Sequence, residues 1–453
     1  MQAKNKFATK FGIIAATVGS AVGLGNIWRF PYECGAGGGG AFLLAYFGFV
    51  IVLGIPVICA EFIIGRSTGE NVSGAFRALG VGRFWHIIGT MGIIASFAIL
   101  GFYTVVAGWC VDYIYQAATG FGGAVTQQQL HEQFEAFNSS GWKPLLWTLL
   151  FLFLNFLIIS RGVQKGIERM SNLMLPLLFV ILLAFCVNSL FLPGFEKGFD
   201  FLFKADFSKF TPDMLLSAMG QAFFSLSIGM GVLITYASYF KHDTQLIKTS
   251  SIIGGLDTLV AIMAAFIIFP ACFSYNMDPA AGPTLIFEVL PSIFQQMLGG
   301  MIWGTLFFLL LFLATITSTI SITEVVVAWL EGEWHISRKK ATVLYGVIIS
   351  IVAAICSLSF GPLKGVTIFG MNMFNFLDYL SAKVLLPLGG MLISVFVGWV
   401  LDKGIIRREL VGADEAPDGR RHPAMLVAMK CIVFSLKYFA PPAILIILVA
   451  GIF

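Results

Sequence analysis

The segment that most constrains this fold is residues 12–40, GIIAATVGSAVGLGNIWRFPYECGAGGGG, an apolar run with glycines in its middle. Because glycine lowers helix stability by roughly 1 kcal/mol relative to alanine, Gly19, Gly23 and Gly25 predict a break in this helix. Polar Asn26 lies beside the break. Non-helical backbone at membrane depth is tolerated only where it faces protein or a water-filled cavity. The segment therefore predicts a binding site built partly from main-chain groups.

The composition indicates a membrane protein. The 453 residues are 58% hydrophobic and 11% charged, with a mean hydropathy of +0.89, whereas soluble domains carry about 25% charged residues. The ~10-residue alternating segments of a membrane β-barrel are not found. The seven cysteines occur singly, without a CxxC pair. With no His/Cys metal set, nucleophile–base pair or phosphate-binding loop, we expect neither an enzyme nor a nucleic-acid-binding protein.

Eleven segments reach the ~20 apolar residues that a membrane-spanning helix needs, and we number them spans 1–11. The chain is therefore predicted to be an all-α polytopic membrane protein with eleven transmembrane helices. The predicted spans are 11–35, 41–66, 86–118, 144–161, 167–190, 213–240, 247–274, 299–331, 340–358, 366–400 and 425–452.

The positive charges predict the orientation. Nineteen Lys and Arg residues lie at the N-terminus and in the loops on its side of the membrane, and five lie in the other loops. Positive loops stay in the cytoplasm, so we expect a cytoplasmic N-terminus and, after eleven spans, an extracellular or periplasmic C-terminus. The expected location is the cell inner (plasma) membrane, as a multi-pass protein in the lipid bilayer. The oligomeric state is left open.

A second interrupted span occurs five spans after the first. Residues 215–240, LLSAMGQAFFSLSIGMGVLITYASYF, contain Ser225, Ser227, Gly229 and Gly231 in their middle. Two interrupted spans at corresponding positions indicate a transporter site near the midplane. A repeat of five spans inverts its second copy, so we predict a 5+5 inverted repeat with spans 1 and 6 discontinuous. The repeats would be residues 1–190 and 213–400, and residues 425–452 would form an extra helix.

Polar groups converge at one depth. At 1.5 Å per residue, the breaks in spans 1 and 6, Asp257 and residues 314–318 all fall near the midplane of a ~30 Å hydrocarbon core. The half-helix beginning at residues 24–26 offers N–H groups and a positive dipole end to a carboxylate. Carbonyls around Ala21 and Phe224 suit an ammonium group or Na⁺. Oxygen ligands for a hard cation are available from Asn26, Ser225, Asp257, Thr317 and Ser318. A zwitterion bound together with cations is the expected ligand.

Four motifs resemble the neurotransmitter:sodium symporter family, which has the leucine-transporter-type fold. They are GSAVGLGNIWRFPY, the glycine run before Ala41 and Phe42, GQAFFSLSIGMG and ATITSTISI. The resemblance extends over nearly the whole chain. It implies a single transmembrane transporter domain over residues 1–453 that moves L-amino acids together with Na⁺ by alternating access.

The resemblance also implies the site residues and two Na⁺ sites. The first Na⁺ site would use the Ala21 carbonyl, Asn26, Ser225 and the carboxylate of the substrate. The second would use the carbonyls of Gly19, Val22 and Ala314 with the hydroxyls of Thr317 and Ser318. The substrate would lie against Ser20, Ala21, Gly23, Leu24, Gly25, Ile99, Tyr103, Phe224, Ser225, Ser227, Met230, Ser318 and Ile322. Tyr103 and Phe224 would form a lid, and Arg29 and Asp378 the outer charged gate.

The first Na⁺ site departs from the family pattern. Asp257 occupies the place of a typical asparagine ligand, so we assign it to this site. One turn on, Ala261 stands where some bacterial relatives have Glu and chloride-dependent members have Ser. We hypothesise that Asp257 supplies the fixed negative charge, so that Na⁺ is required and chloride is not. Gln221 and Tyr46, which would flank a chloride ion, are nevertheless present.

The cytoplasmic side departs as well. The family pairs an Arg near the N-terminus with an Asp at the end of span 8, and these positions here are Lys4 and Gly332, the latter flanked by two glutamates. The inner gate is therefore expected to be shifted or weak. Gly166 and Pro176 match a spacing that the family associates with unwinding of span 5, although the two residues are also common helix breakers.

Gly23 gives the best indication of the substrate. Monoamine carriers of the family have Asp at this position, whereas Gly23 leaves room for a carboxylate that the substrate must provide. Ile99, Phe224, Met230 and Ile322 would line an apolar pocket, which favours hydrophobic or aromatic L-amino acids. The alternative is a Na⁺-dependent ligand-sensing or channel-like protein on the same fold. A single set of closely spaced ligands is unlike the filter ring of a channel.

Overall fold

The computed structural model describes residues 6–123, 126–278, 285–412 and 423–452. In this part of the chain nearly all regular structure is helical. A two-stranded antiparallel hairpin is formed by Thr367–Ile368 and Met371–Asn372, with Thr367 opposite Asn372. The predicted all-α class is therefore confirmed, because this short hairpin lies in a loop.

Nine helices within the described ranges are long and apolar enough to cross a membrane. They are Gly40–Thr68, Arg83–Ala118, Trp142–Ile159, Val163–Ser189, Leu246–Ser274, Gly300–Glu333, Arg338–Leu358, Met373–Val400 and Ala424–Gly451. A tenth candidate is span 1, where Lys10–Ala21 and Gly25–Ala36 meet at an angle of 51°. Span 6 consists of two shorter helices, Pro212–Ser225 and Val232–Ala237. The number eleven depends on counting these two halves as one span and stays a prediction.

The loops contain more structure than the sequence predicted. Span 10 begins at Met373 rather than at residue 366, because residues 367–372 form the hairpin. Short helices lie in the predicted loops, at Val72–Ala78, Gln127–Ser139, Phe195–Phe203, Val289–Gln296 and Lys403–Val411, with 3₁₀ turns at Arg83–Trp85, Phe121–Gly123 and Phe207–Lys209. Turns of π-helix interrupt the spans at Gly25–Arg29, Val50–Gly54, Val163–Glu168, Leu380–Leu385, Phe396–Val400 and Ser435–Phe439. Pro279 and Pro283, between predicted spans 7 and 8, and Pro417 and Gly419, between predicted spans 10 and 11, lie outside the described residues.

The break in span 1 follows from its sequence. Its first half begins at Lys10, where the Thr9 side chain caps the helix by accepting a hydrogen bond from the N–H of Gly12. It ends at Ala21 because Val22 is extended, with φ −67° and ψ 107°. The second half restarts with the π-helical turn Gly25–Arg29. Gly19, Gly23 and Gly25 predicted such a break, and the structure confirms it.

The break in span 6 needs its glycines. Residues 226–231 are not helical, and Ser227, Gly229 and Gly231 have positive φ values of 55°, 86° and 79°. A Cβ atom on Gly229 would lie 2.4 Å from the carbonyl oxygen of Leu386 in span 10. Only glycine fits this combination of backbone conformation and close approach.

The two broken spans lie against the long spans 3 and 8. Span 8 packs along span 3 and also contacts the first half of span 1 and span 5. The central residues of spans 3 and 8 are almost all buried. Large apolar side chains are exposed on the outer spans, as at Phe153, Leu183 and Val347, which is the pattern of a lipid-facing surface. The division into residues 1–190, 213–400 and 425–452 stays a prediction.

Candidate substrate and sodium site

The breaks in spans 1 and 6 are joined directly. The Ser227 hydroxyl donates to the carbonyl oxygen of Ser20 over 2.9 Å, and the Gln221 amide donates to the carbonyl oxygen of Gly25 over 2.7 Å. All four residues are buried. The main-chain groups freed by one break are therefore satisfied by side chains of the other, and the two interrupted regions form one site.

The beginning of the second half-helix of span 1 is enclosed by hydrogen bonds and by close side-chain contacts. The N–H of Leu24 donates to the Tyr103 hydroxyl over 3.1 Å, and the N–H of Gly23 donates to the Asn26 side-chain oxygen over 3.0 Å. A Cβ atom on Gly23 would lie 2.7 Å from the Ser318 hydroxyl and 2.9 Å from that of Tyr103. Position 23 is therefore packed so tightly that any side chain larger than that of glycine would displace the hydroxyl of Ser318 or of Tyr103.

The predicted first Na⁺ site is a buried cluster of oxygen atoms. Asp257 accepts hydrogen bonds from the Asn26 amide over 2.8 Å, the Ser225 hydroxyl over 2.7 Å and the Tyr46 hydroxyl over 3.0 Å. The Asn26 amide also donates to Ser225 over 2.9 Å. These hydrogen-bond partners of Asp257 are all neutral. A fully buried carboxylate is costly unless a positive charge compensates it, so the cluster fits a monovalent cation. Ala21, the last residue of the adjoining half-helix, is also buried.

The predicted second Na⁺ site joins spans 1 and 8. The Ser318 hydroxyl lies 3.1 Å from the carbonyl oxygen of Ala314, 3.2 Å from that of Val22 and 3.4 Å from that of Gly19. The Thr317 hydroxyl lies 3.1 Å from the carbonyl oxygen of Ala314. The structure therefore brings all five predicted residues together, and their donor atoms are the hard oxygens that Na⁺ prefers.

The remaining predicted substrate contacts are apolar and nearly closed off. Ile99, Met230 and Ile322 are each 5% exposed. Ile99 lies one turn before Tyr103 on span 3. A Cβ atom on Gly25 would lie 3.2 Å from the Phe224 ring. Phe224, a residue of the predicted lid, therefore packs against the break in span 1.

Known proteins are similar to this chain in sequence and in overall fold. A sequence model of the Sodium:neurotransmitter symporter family matches residues 4–121 and 124–411. The chain belongs to this family. The crystal structure of MhsT in complex with L-phenylalanine is similar over 99% of this chain and 100% of MhsT, with a TM-score of 0.88 and 42% identity. The uncharacterized sodium-dependent transporter YhdH of Bacillus subtilis (strain 168) is 38% identical over 91% of each chain. An uncharacterized sodium-dependent transporter of Haemophilus influenzae is 34% identical over 99% of this chain and 98% of its own.

As a member of the Sodium:neurotransmitter symporter family, the protein is a sodium-dependent membrane transporter and not an enzyme. A transporter that binds its substrate at one central site needs a closure on each side of that site. On the predicted outer side, a cavity of about 320 Å³ lies beyond Phe224 and Tyr103, and Arg29, Glu33 and Asp378 line it. The Arg29 guanidinium lies 4.8 Å from the centre of the Phe224 ring, so a residue of the predicted charged gate contacts a residue of the predicted lid.

The ion pair of Arg29 in this transporter differs from the expected one. Arg29 and Asp378 share the cavity, but Arg29 Nε lies 3.4 Å from Glu33 Oε1. The other Glu33 oxygen accepts from the Ser217 hydroxyl over 2.5 Å. The sequence analysis missed Glu33, although its position four residues after Arg29 places both side chains on one helix face.

The ion pairs on the predicted cytoplasmic side also differ from the family pattern. Lys4 lies outside the described residues. Glu324 is fully buried and pairs with Arg338, which also lies 3.1 Å from Glu331. The Tyr239 hydroxyl donates to Glu324 over 2.7 Å. The expectation of a shifted or weak inner gate stays a prediction, and the sequence analysis did not connect Arg338 with span 8 because Arg338 follows that span in the next loop. Gly166 lies in the π-helical turn Val163–Glu168, and Pro176 lies inside the helix that follows.

Proposed function

We propose that this protein is a Na⁺-coupled symporter of hydrophobic or aromatic L-amino acids that works by alternating access. One observation carries the proposal. The Asn26 side chain accepts from the N–H of Gly23 at the break of span 1 and donates to a buried carboxylate, Asp257, whose hydrogen-bond partners are neutral. Amides at a helix start favour a carboxylate, and an uncompensated buried carboxylate favours a cation.

The carboxylate end of the substrate would bind at the amides of Leu24 and Gly25, with the Tyr103 hydroxyl beside them. Gly23 supports this assignment, since any side chain at this position would push against the hydroxyls of Tyr103 and Ser318 beside these amides. The substrate ammonium group would face the carbonyl oxygens at the ends of the first half-helices, near Ala21 and Phe224. A ligand with both charges satisfies both ends of the breaks.

The side chain of the substrate would lie among Ile99, Phe224, Met230 and Ile322. These residues are apolar, and Met230 has a flexible thioether that can fit side chains of different shape. MhsT, which is 42% identical, has been crystallised in complex with L-phenylalanine. That complex supports a hydrophobic or aromatic amino acid as the substrate of this chain.

Two Na⁺ ions would be transported with each substrate. The first would bind to Ala21, Asn26, Ser225, Asp257 and the carboxylate of the substrate, so ion and substrate would depend on each other. The second would bind to Gly19, Val22, Ala314, Thr317 and Ser318. Since Asp257 provides a negative charge within the first site, chloride would not be required. The proposed orientation has the N-terminus in the cytoplasm.

Uptake of labelled amino acids into proteoliposomes tests the proposal. An inward Na⁺ gradient is expected to drive saturable accumulation of L-phenylalanine above its external concentration, and replacement of Na⁺ by choline is expected to abolish it. Excess unlabelled hydrophobic amino acids should compete, whereas glutamate and lysine should not. A non-saturating Na⁺ current without accumulation would instead support a channel-like protein.

A further inference from the structure

The carbonyl of Met230 has a partner on span 3 that the predicted site does not include. Met230 lies in the non-helical residues 226–231 of span 6, so the helix does not supply a partner for its carbonyl oxygen. The Ser96 hydroxyl, fully buried, donates to this oxygen over 2.9 Å. A buried carbonyl without such a partner is unfavourable at membrane depth.

This use of a serine is unusual in the protein. Buried hydroxyls on the spans mostly donate to a carbonyl of their own helix, four residues earlier. Examples are Thr104 to Leu100 over 2.8 Å and Ser189 to Phe185 over 3.0 Å. Ser96 donates across to another span, and its acceptor belongs to a residue of the proposed substrate pocket.

The geometry of span 3 explains how Ser96 reaches the break. A Cβ atom on Gly92 would lie only 3.5 Å from the Cα atom of Gly231, so span 3 closely approaches span 6 at this level. Gly92, Ser96, Ile99 and Tyr103 follow each other at intervals of four, three and four residues, which places them on one helix face. The face that lines the pocket through Ile99 and Tyr103 thus also holds the Met230 carbonyl.

The neighbouring residues of the break have separate attachments. Ser227 donates to the Ser20 carbonyl over 2.9 Å, and the N–H of Gly229 donates to Glu61 over 2.8 Å. We infer that Ser96 is a positioning residue for substrate selectivity, because it holds the Met230 carbonyl and thereby fixes where the Met230 side chain bounds the pocket. This inference rests on the proposed function, in which Met230 contacts the side chain of the substrate.

The test compares two substrates of different size in the same proteoliposomes. The apparent KM values for L-valine and L-phenylalanine are measured for the unchanged protein, Ser96→Ala and Ser96→Thr. In Ser96→Ala the ratio of the two KM values is expected to move toward one by about fivefold, the factor that corresponds to one neutral hydrogen bond of about 1 kcal/mol. Ser96→Thr keeps the hydroxyl and is expected to restore the original ratio.

Ser189→Ala is the matched control, since it removes a buried hydroxyl that is bonded within its own helix. A merely structural effect lowers the maximal rate for both substrates equally and leaves the KM ratio unchanged. An unchanged ratio in Ser96→Ala, or an equal change in Ser189→Ala, would overturn the inference while the proposed function stands. If the unchanged protein transports neither amino acid with Na⁺, the proposed function fails and the inference fails with it. Should Ser96→Ala not accumulate in the membrane, Ser96→Cys provides a similar volume and a weaker donor.

Discussion

Replacement of Gly23 by aspartate is expected to abolish amino-acid binding. A Cβ atom at this position would lie 2.7 Å from the Ser318 hydroxyl and 2.9 Å from the Tyr103 hydroxyl, so these groups would have to move. Both hydroxyls hold main-chain groups of the break. Tyr103 accepts from the N–H of Leu24, and Ser318 donates to the carbonyl oxygen of Val22.

The expected loss of affinity has two parts. Weakening two buried hydrogen bonds costs about 1 kcal/mol each, which together raises the Kd about 30-fold. The added carboxylate also repels the carboxylate of the substrate. At a separation of ~5 Å and an effective dielectric constant of about 20, this repulsion is about 3 kcal/mol, or a further factor of roughly 100.

Equilibrium binding of labelled L-phenylalanine to purified protein at saturating Na⁺ separates these parts. Gly23→Ala measures the effect of the added Cβ atom, and Gly23→Asn matches the volume of aspartate without its charge. Gly23→Asp is expected to bind roughly 100-fold more weakly than Gly23→Asn. Equal affinities of the Asp and Asn variants would refute the charge argument, and wild-type affinity in all three would show that the carboxylate binds elsewhere.

Four further predictions concern ions and charges. Asp257→Asn is expected to raise the Na⁺ concentration for half-maximal uptake at least about tenfold, because the buried charge is lost. In the wild-type protein, replacing chloride by gluconate should leave uptake unchanged. Loss of that uptake would disprove the hypothesis that chloride is not required. Arg338→Gln leaves Glu324 buried without its charge partner, which lowers the free energy of unfolding by about 3–5 kcal/mol. The midpoint of thermal unfolding should therefore fall, and it should recover when Glu324→Gln is added. An unaffected midpoint in Arg338→Gln would contradict this. The hydrogen bond to Glu288, 3.1 Å away, raises the pKa of His131, and the pair therefore contributes stability below about pH 6.5 that is lost as the pH rises through the raised pKa. His131→Gln should lower the thermal midpoint at pH 6 but not at pH 9, and the same decrease at both pH values would exclude this linkage.

Much of the fold follows from local sequence physics. Apolar segments of sufficient length predicted the long helices, and the glycines of spans 1 and 6 predicted where those helices break. The hairpin at residues 367–372 was assigned to span 10 because its residues are mostly apolar. Composition alone does not distinguish an apolar turn outside the membrane from the first turn of a spanning helix.

The site was partly predictable, because the helix rise fixes how deep each residue of a spanning helix lies in the membrane. Counting 1.5 Å per residue gives the depth of a polar group, and Asn26, Ser225 and Asp257 do lie together. Depth does not give the direction in which a side chain points. The four-residue spacing offers Glu33 as a partner of Arg29, but the choice between Glu33 and Asp378 depends on how spans 1 and 10 are arranged.

Loop charges were harder to interpret. Arg338 counted only toward the orientation of the chain, yet it reaches back to Glu324 and Glu331 on span 8. Ser96 carried no sequence signal, since a single serine in a spanning helix normally bonds to its own backbone. The ion pairs of Arg338 and the hydrogen bond of Ser96 each join two different helices, and the sequence does not show which helices are neighbours.

The dependence of L-phenylalanine affinity on Na⁺ tests most directly whether substrate and ion share one site at the two breaks. If the carboxylate of the substrate lies between the amides of span 1 and the cation beside Asp257, replacing Na⁺ by choline should raise the Kd for L-phenylalanine at least about tenfold. By thermodynamic reciprocity, saturating L-phenylalanine should tighten Na⁺ binding by the same factor. An L-phenylalanine Kd that is identical in Na⁺ and in choline would contradict the shared site.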